Sequence, residues 1–246
     1  MADFLEFASS GSVAAVIVEP VLGNGGNVVP PPGYFARLRQ ICDRYGILII
    51  ADEVQTGMGR LGTVFGSAAV GLRPDIVTLA KGLGGIGVPA GAVLMREDLD
   101  VLDSFEHSFT SGANPLSLAA AEATIGVVTD ESFLTEVQRK GARLGAGLKR
   151  LGAACTLVSD VRGLGMMWGL EISSPDGSPD PGTAREVIRV ARDEERLILR
   201  PSRYGFGNVV KVRPALIAAD EELDDITDRL GRALARVERS EREGAR

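Results

Sequence analysis

Apolar residues in the first part of the chain fall into four short runs, each followed by polar or glycine-rich sequence. The runs cover residues 12–19, 47–51, 75–80 and 90–95. Runs of this length bounded by turn residues are typical of buried strands. Between the first two runs, residues 34–45 have apolar positions at helical spacing. Strands that alternate with helices predict an α/β fold built on a mostly parallel sheet.

The pattern changes after residue 115, where predicted helices become longer and predicted strands become shorter. Helices are predicted at 116–128, 131–151 and 183–195, and strands within 155–172 and at 197–200 and 209–212. The strand pair is expected to turn around Arg162 and Gly163, and Asp220 is expected to cap a last helix. We therefore predict three parts, which are a large α/β domain over 1–129, a connecting helix over 130–153 and a small α+β domain over 154–246.

Composition and charge narrow the class of protein. The 246 residues carry a net charge of −6 at pH 7, which does not favour a nucleic-acid partner. Cys42, Cys155 and a single histidine argue against a metal site, and both cysteines are interpreted as reduced core thiols. No apolar run approaches the roughly 20 residues that cross a bilayer, and the first residues lack a signal-peptide pattern. We expect a cytoplasmic protein without a metal or a membrane partner.

Two charged residues stand directly after predicted strands. Asp52 follows the strand at 47–51, and Lys81 follows the strand at 75–80. Ligands bind at the carboxyl ends of the strands in parallel sheets, so the two side chains predict a shared site. On its own, such a pair is more often an ordinary ion pair.

Glycines beside Lys81 form a second candidate motif. Gly82, Gly84 and Gly87 have the spacing of a dinucleotide-binding loop that follows a strand. That motif requires a helix next, whereas residues 88–95 are strand-like and contain Pro89 near their start. We therefore exclude a nicotinamide dinucleotide here.

Several ordered motifs resemble one known family. They read VEPV at 18–21, PPGY at 31–34, IIADEVQTGMGR at 49–60, RPDIVTLAKG at 73–82, FTSGANP at 109–115 and DVRGLG at 160–165. In type and order they resemble class III pyridoxal-phosphate-dependent aminotransferases, which have fold type I. The resemblance implies a fold type I large domain followed by a small α+β domain, with pyridoxal 5'-phosphate as cofactor.

The resemblance also implies a role for each motif residue. Lys81 is expected to form a Schiff base with the cofactor and to shuttle the substrate proton, and Asp52 to pair with the pyridine nitrogen. Val54 is expected to pack on the cofactor ring, and Gln55 to hydrogen-bond its hydroxyl. Thr110 matches a threonine that reaches the neighbouring subunit's cofactor phosphate in family dimers, so a homodimer is expected.

Three of these residues have structural alternatives. Val54 also fits simple core packing, and Thr110 also fits a helix cap before Asn114 and Pro115. His107, the only histidine, is interpreted as a polar loop residue rather than a catalytic one.

The expected substrate-binding strand departs from the family pattern. Many members have Arg-Phe-x-Pro-Pro-Leu, whereas residues 210–216 read VKVRPAL, which places Lys211 at the arginine position and Arg213 two residues on. Residues two apart share a strand face, so both are candidate substrate-binding residues. A lysine is a point charge rather than a bidentate fork, so carboxylate selection is expected to differ. Asn24 stands near a glutamate position of ornithine-type members, which disfavours an ornithine-like enzyme.

The resemblance also sets expectations for the length and activity of the chain. Family members have a further stretch before residue 12, so we expect a C-terminal portion that lacks the family's N-terminal half. The expected activity is amino transfer from an amine donor to a keto acid. The alternatives are a lyase of the amino-alcohol-phosphate phospho-lyase type, or an inactive half that needs an N-terminal partner from another chain.

Overall fold

The computed structural model describes residues 5–6, 11–85, 87–103 and 106–244. Contacts divide the chain into two compact units. The first unit comprises Met1–Pro20, Pro30–Gly59 and Thr63–Leu134, and the second comprises Val21–Val29, Arg60–Gly62 and Thr135–Arg246. The sequence-based division did not foresee that two short early segments join the second unit. Val21 and Leu61 do so because they form one buried cluster with Met167.

The first unit is built on a four-stranded sheet. Its strands are β1 (Ala15–Val18), β2 (Leu48–Asp52), β3 (Ile76–Leu79) and β4 (Ala92–Met95). The strand order is β1-β2-β3-β4, with β1 and β3 both parallel to β2, and β4 antiparallel to β3. This sheet, together with its helices, confirms the predicted α/β fold class.

The core of this unit lies between the sheet and the amphipathic helix α1 (Tyr34–Tyr45). Phe35, Leu38 and Cys42 of α1 form one buried cluster with residues of β2 that include Ile49. Burial raises the pKa of the Cys42 thiol, which suits the predicted reduced core cysteine. The helix ends at Gly46, whose φ of 65° is the left-handed geometry that glycine adopts without strain.

Among the residues that the structure describes, the first unit also contains the helices α2 (Gly66–Ala69) and α3 (Pro115–Val128). Short 3₁₀ turns lie at Lys81–Gly84 and Glu97–Leu99. Helix α3 begins at Asn114, whose side chain accepts the N–H groups of Leu116 and Ser117 at 3.0 and 3.4 Å. The capping residue of α3 is therefore Asn114 and not Thr110.

Asp75 ties α1, β2 and β4 together just before β3 begins. Its Oδ2 accepts Arg39 Nη1 at 2.7 Å and the Ile49 N–H at 2.8 Å, and its Oδ1 accepts Arg96 Nη1 at 2.6 Å. Burial by itself raises the pKa of Asp75, but the Ile49 hydrogen bond and the Arg39 guanidinium outweigh it, so the pKa is lowered. The ionised carboxylate is therefore the form that this fold stabilises.

The second unit holds a four-stranded antiparallel sheet with helices. Its elements are α4 (Glu131–Ala154, whose first turn belongs to the first unit), β5 (Val158–Leu164), β6 (Met167–Ile172), α5 (Pro181–Asp193), β7 (Arg200–Pro201), β8 (Val209–Val212) and α6 (Asp220–Gly244). The strand order is β5-β6-β8-β7. Helix α5 packs on β6 and β8 and against α6. None of the helices in the described ranges is both long enough and apolar enough to cross a membrane.

Three details of the predicted second unit were wrong. The chain turns at Gly165–Met166 and not at Arg162–Gly163, because only Gly165 takes the required positive φ of 56°. The strand predicted at 197–200 is a two-residue strand, β7. Asp220 lies inside the first turn of α6, where it pairs with Arg139 at 2.7 Å, and is not an N-cap.

Replacing Asp75 with asparagine tests how much the bonds of the Asp75 carboxylate to Arg39, Ile49 and Arg96 stabilise the fold. At about pH 7, we expect Asp75→Asn to lower the free energy of unfolding by about 2–3 kcal/mol, because two guanidinium groups lose a buried partner. The lowered pKa means that the stabilising charge is present above the unfolded-state pKa and is lost as the pH falls through the folded-state pKa.

The difference in free energy of unfolding between the parent protein and Asp75→Asn should therefore become smaller below about pH 4. Urea unfolding curves recorded at several pH values measure this difference. Asp98→Asn is the matched control, since the exposed Asp98 carboxylate also pairs with Arg96. An equal loss of stability in both variants, or a pH-independent difference, would contradict the assignment.

Candidate active site

Asp52 and Lys81 lie at the same edge of the first unit's sheet. Asp52 is the last residue of β2 and is the register partner of Thr78 in the parallel strand β3. The Glu53 N–H donates to the Thr78 carbonyl at 3.0 Å, which continues the pairing for one more residue. Lys81 begins the 3₁₀ turn directly after β3, with a φ of 47°. The structure thus brings both predicted site residues to neighbouring strand ends.

The loop that follows Asp52 packs on the turn that contains Lys81. A Cβ atom on Gly57 would lie 2.8 Å from Leu79 Cδ2 and 3.0 Å from the Glu53 carbonyl oxygen, so only glycine fits there. A Cβ atom on Gly82 would lie 3.3 Å from Met58 Cβ. Val54 and Gln55 belong to this loop and are half-buried. Four of the predicted cofactor-binding residues therefore share one corner of the first unit.

The Asp52 carboxylate is oriented by its own loop. Its Oδ1 accepts the N–H of Val54 at 3.1 Å, and its side chain is half-buried at the strand end. A carboxylate held in this way keeps one oxygen engaged and a fixed direction for the other. This geometry suits a residue that must present a charge to a bound ring.

Glu53 is a functional candidate that the sequence reasoning missed. Its side chain is only 1% exposed, and its Oε1 accepts the Ser67 N–H at 2.8 Å while its Oε2 accepts the Gly66 N–H. The Gly57 N–H donates to the Glu53 carbonyl at 3.0 Å. Glu53 thus fastens the loop after Asp52 to the start of α2. The only local signal for this role is an acidic residue beside Asp52.

An open cavity of about 580 Å³ lies beside Lys81. Small and apolar residues line it together with the lysine, namely Ala80, Gly85, Gly87, Val88, Pro89, Ala90 and Gly91. This volume is within the range of small-molecule sites. Beyond Gly87 the chain enters β4 and not a helix, which is why a dinucleotide loop does not form here.

The remaining predicted site residues of the first unit lie in the loop before α3. Thr110 is exposed in this loop. The His107 ring lies 5.3 Å from the Phe109 ring centroid, as expected for a loop residue.

Lys211 and Arg213 lie in the second unit. Lys211 is half-buried in β8, opposite Gly169 of β6 and Arg200 of β7. Arg213 follows β8, and its Nη2 donates to the Gly23 carbonyl at 2.8 Å and to Asn27 Oδ1. The observed bonds of Arg213 are thus made to the segment Val21–Val29 of the same unit.

Sequence comparison identifies the family. A family model described as aminotransferase class-III matches residues 2–234. The chain belongs to this family. This protein is 41% identical over 226 residues to an acetylornithine aminotransferase of Thermosynechococcus vestitus. The alignment covers 92% of this chain and 53% of the relative. The protein is 38% identical to a leucine/methionine racemase of Thermococcus litoralis, covering 92% and 51%. The chain therefore spans about half the length of the curated relatives it matches.

Solved structures agree with this assignment. An ornithine aminotransferase of Toxoplasma gondii, described with partial occupancy of PLP, superposes with a TM-score of 0.86 at 33% identity. The match covers 97% of this protein and 54% of that structure. Class III aminotransferases are fold type I enzymes that use pyridoxal phosphate, so the predicted family, fold and cofactor are confirmed.

The residues at the strand ends fit this cofactor chemically. Pyridoxal phosphate needs a primary amine for covalent attachment and an anionic partner for its pyridine nitrogen. Lys81 has such an amine, and Asp52 has a carboxylate that its own loop orients. A cavity opens beside Lys81. No cluster of residues in the described part of the chain suits a metal ion.

Replacing Glu53 with glutamine tests the fastening of this loop. A glutamine has one acceptor oxygen for two N–H donors, so we expect Glu53→Gln to lower the free energy of unfolding by about 1–3 kcal/mol. The Gly66 and Ser67 amides should exchange hydrogen faster in mass-spectrometric measurements. Glu122→Gln, at an exposed position on α3, is the control. Unchanged amide exchange at residues 66–67 in Glu53→Gln would contradict the predicted role.

Proposed function

We propose that the protein is a pyridoxal-phosphate-dependent aminotransferase that moves an amino group from a small amine to a keto acid. The observation that carries this proposal is the placement of Asp52 and Lys81 at adjacent strand ends. A cavity of about 580 Å³ lies beside Lys81. The similarity to relatives named as aminotransferases favours amino transfer over the phospho-lyase alternative.

The roles of the two charged residues follow from their chemistry. The cofactor, when bound, supplies an electron sink for the bond that breaks at the substrate carbon. Asp52 would hold a proton on the pyridine nitrogen, because an anion beside that nitrogen favours its charged form. Lys81 would hold the cofactor covalently, and its amine, once displaced by the substrate, would carry the proton to and from the substrate carbon.

The backbone conformation of Lys81 supports a functional role. A φ of 47° places a non-glycine residue in the left-handed region, which costs on the order of 1–3 kcal/mol and persists only where the surroundings enforce it. Such strain clusters at ligand-binding sites.

Other residues would shape the pocket. We propose that Val54 packs on one face of the cofactor ring and that Gln55 hydrogen-bonds its hydroxyl, since both belong to the loop that packs on the lysine turn. Lys211 is proposed to contact an anionic group of the substrate. The expectation that an N-terminal partner completes the site stays a prediction.

A second copy of the chain is the proposed partner of the apolar surface around α3. Helix α3 is rich in apolar residues on all sides, yet only Ala121 and Val128 are buried in it. The exposed apolar residues of this surface are Val101, Leu102, Phe109, Leu116, Leu118, Ile125 and Val127. A helix that is apolar all round is normally covered. Thr110 is also exposed and follows Phe109 in the sequence, and we propose that it acts across the dimer.

Covalent trapping tests the role of Lys81. After incubation with pyridoxal phosphate and reduction with borohydride, we expect peptide mass spectrometry to find the label on Lys81. Lys81→Ala should lose this label and lower any amino-transfer rate by at least about 10²-fold, as for loss of a proton-transfer group. Lys140→Ala, on α4, is the control and should keep both the label on Lys81 and the amino-transfer rate. A label spread evenly over the lysines, or retained activity in Lys81→Ala, would refute the assignment.

Sedimentation velocity tests the proposed dimer. At micromolar concentration we expect a dimer, and Leu118→Glu should shift it to monomer because a charge would be buried at the interface. Ile198→Glu makes the same change at an exposed position of the second unit and should not shift the distribution. A monomeric parent protein, or a dimer that tolerates Leu118→Glu, would overturn the proposed surface.

A further inference from the structure

The segment Val21–Val29, called the glycine loop below, has an unusual backbone. Leu22 and Val28 form an antiparallel bridge that closes it. Gly26 has a φ of 106° and Asn27 a φ of 54°, both in the left-handed region. Asn27 is fully buried despite its polar side chain. A strained, buried asparagine persists only where its surroundings hold it in place.

Neighbouring elements of the second unit hold the glycine loop. Asn27 Nδ2 donates to the Trp168 carbonyl at 2.5 Å, and Arg162 Nε donates to the Gly26 carbonyl at 3.1 Å. A Cβ atom on Gly26 would lie 2.8 Å from Val209 Cγ2, so the loop lies directly on the sheet.

A third contact reaches the tip of the loop. The Asn24 carbonyl accepts the N–H groups of Arg203 and Tyr204 at 2.9 and 3.1 Å. The tip is therefore fixed by backbone atoms, and the Asn24 side chain takes no part in these two bonds.

Arg213 joins the two ends of the glycine loop. Its Nη2 donates to the Gly23 carbonyl at 2.8 Å and to Asn27 Oδ1. One guanidinium nitrogen thereby bridges residues four positions apart in a segment without regular structure. A charge-assisted hydrogen bond of this kind is stronger than a neutral one. If the guanidinium turned away to bind an anion, Asn27 Oδ1 and the Gly23 carbonyl would each lose a hydrogen-bond donor.

We infer that Arg213 is a positioning residue that holds the glycine loop in its strained shape, and not a receptor for a substrate anion. This inference rests on the proposed function, because the KM for amine donors is the quantity that separates the role of Arg213 from that of Lys211. Lys211 and Arg213 are therefore proposed to have different roles. Lys211 would discriminate among substrates by charge, whereas Arg213 would affect all amine donors alike.

The test compares two variants with two amine donors, one that carries a carboxylate and one of similar size that is uncharged apart from its amine. In Arg213→Met we expect KM to rise by a similar factor for both donors. Amide hydrogen exchange in residues 21–29 should rise about tenfold, as expected for the loss of hydrogen bonds of this strength. In Lys211→Met we expect KM to rise for the carboxylated donor alone, with loop exchange unchanged.

The opposite pattern would overturn the inference. If Arg213→Met raised KM only for the carboxylated donor and left loop exchange unchanged, Arg213 would be an anion receptor. Arg213→Lys controls for a folding defect, because the lysine ammonium keeps a charged donor group and should restore part of the protection in residues 21–29. If the parent protein transferred no amino group from any donor, the proposed function would fail, while the exchange measurements would still decide the role of Arg213.

Discussion

The parallel pairing of β2 with β3 is the constraint on which the candidate site depends. Its register sets Asp52 beside Thr78, and the hydrogen bond from Glu53 to Thr78 carries the pairing past the strand end. A shift of one residue would turn Asp52 to the opposite face of the sheet. Asp75 stabilises this register, because its carboxylate binds the Ile49 N–H of β2 just before β3 begins. Backbone pairing therefore places Asp52 and Lys81 at neighbouring strand ends.

Much of the fold could be predicted from the sequence because its signals are local. The strands of the first unit are apolar runs that end in turn residues, and such runs are recognisable without knowledge of their partners. The turn between β5 and β6 was misplaced for a physical reason. Gly163 and Gly165 both lack room for a Cβ atom, Gly163 beside the Met167 carbonyl and Gly165 beside Leu61, but only Gly165 has a positive φ. The sequence alone does not distinguish a glycine needed for space from one needed for its conformation.

The site residues likewise comprise some that local sequence signals reveal and others that depend on long-range contacts. The positions of Asp52 and Lys81 were predictable because each stands at the end of a recognisable strand within a motif. The buried role of Glu53 was not, because its two N–H partners lie 13 and 14 residues further on, in a short helix. The contact of Arg213 with Asn27 joins residues 186 positions apart, and no local pattern announces it. Long-range polar contacts of this kind depend on tertiary structure, which a pattern of apolar residues does not specify.

The assignment of residues to the two units has an evolutionary consequence. Asp52 and Lys81, proposed to hold the cofactor, belong to the first unit, whereas Lys211, Arg213 and the glycine loop belong to the second. On this proposal, mutations that alter the preferred amine accumulate in one unit while the proposed cofactor-binding residues of the other are inherited unchanged. Relatives named as an aminotransferase and as an amino-acid racemase match this chain over nearly the same length, as expected if new activities arise on a retained cofactor framework.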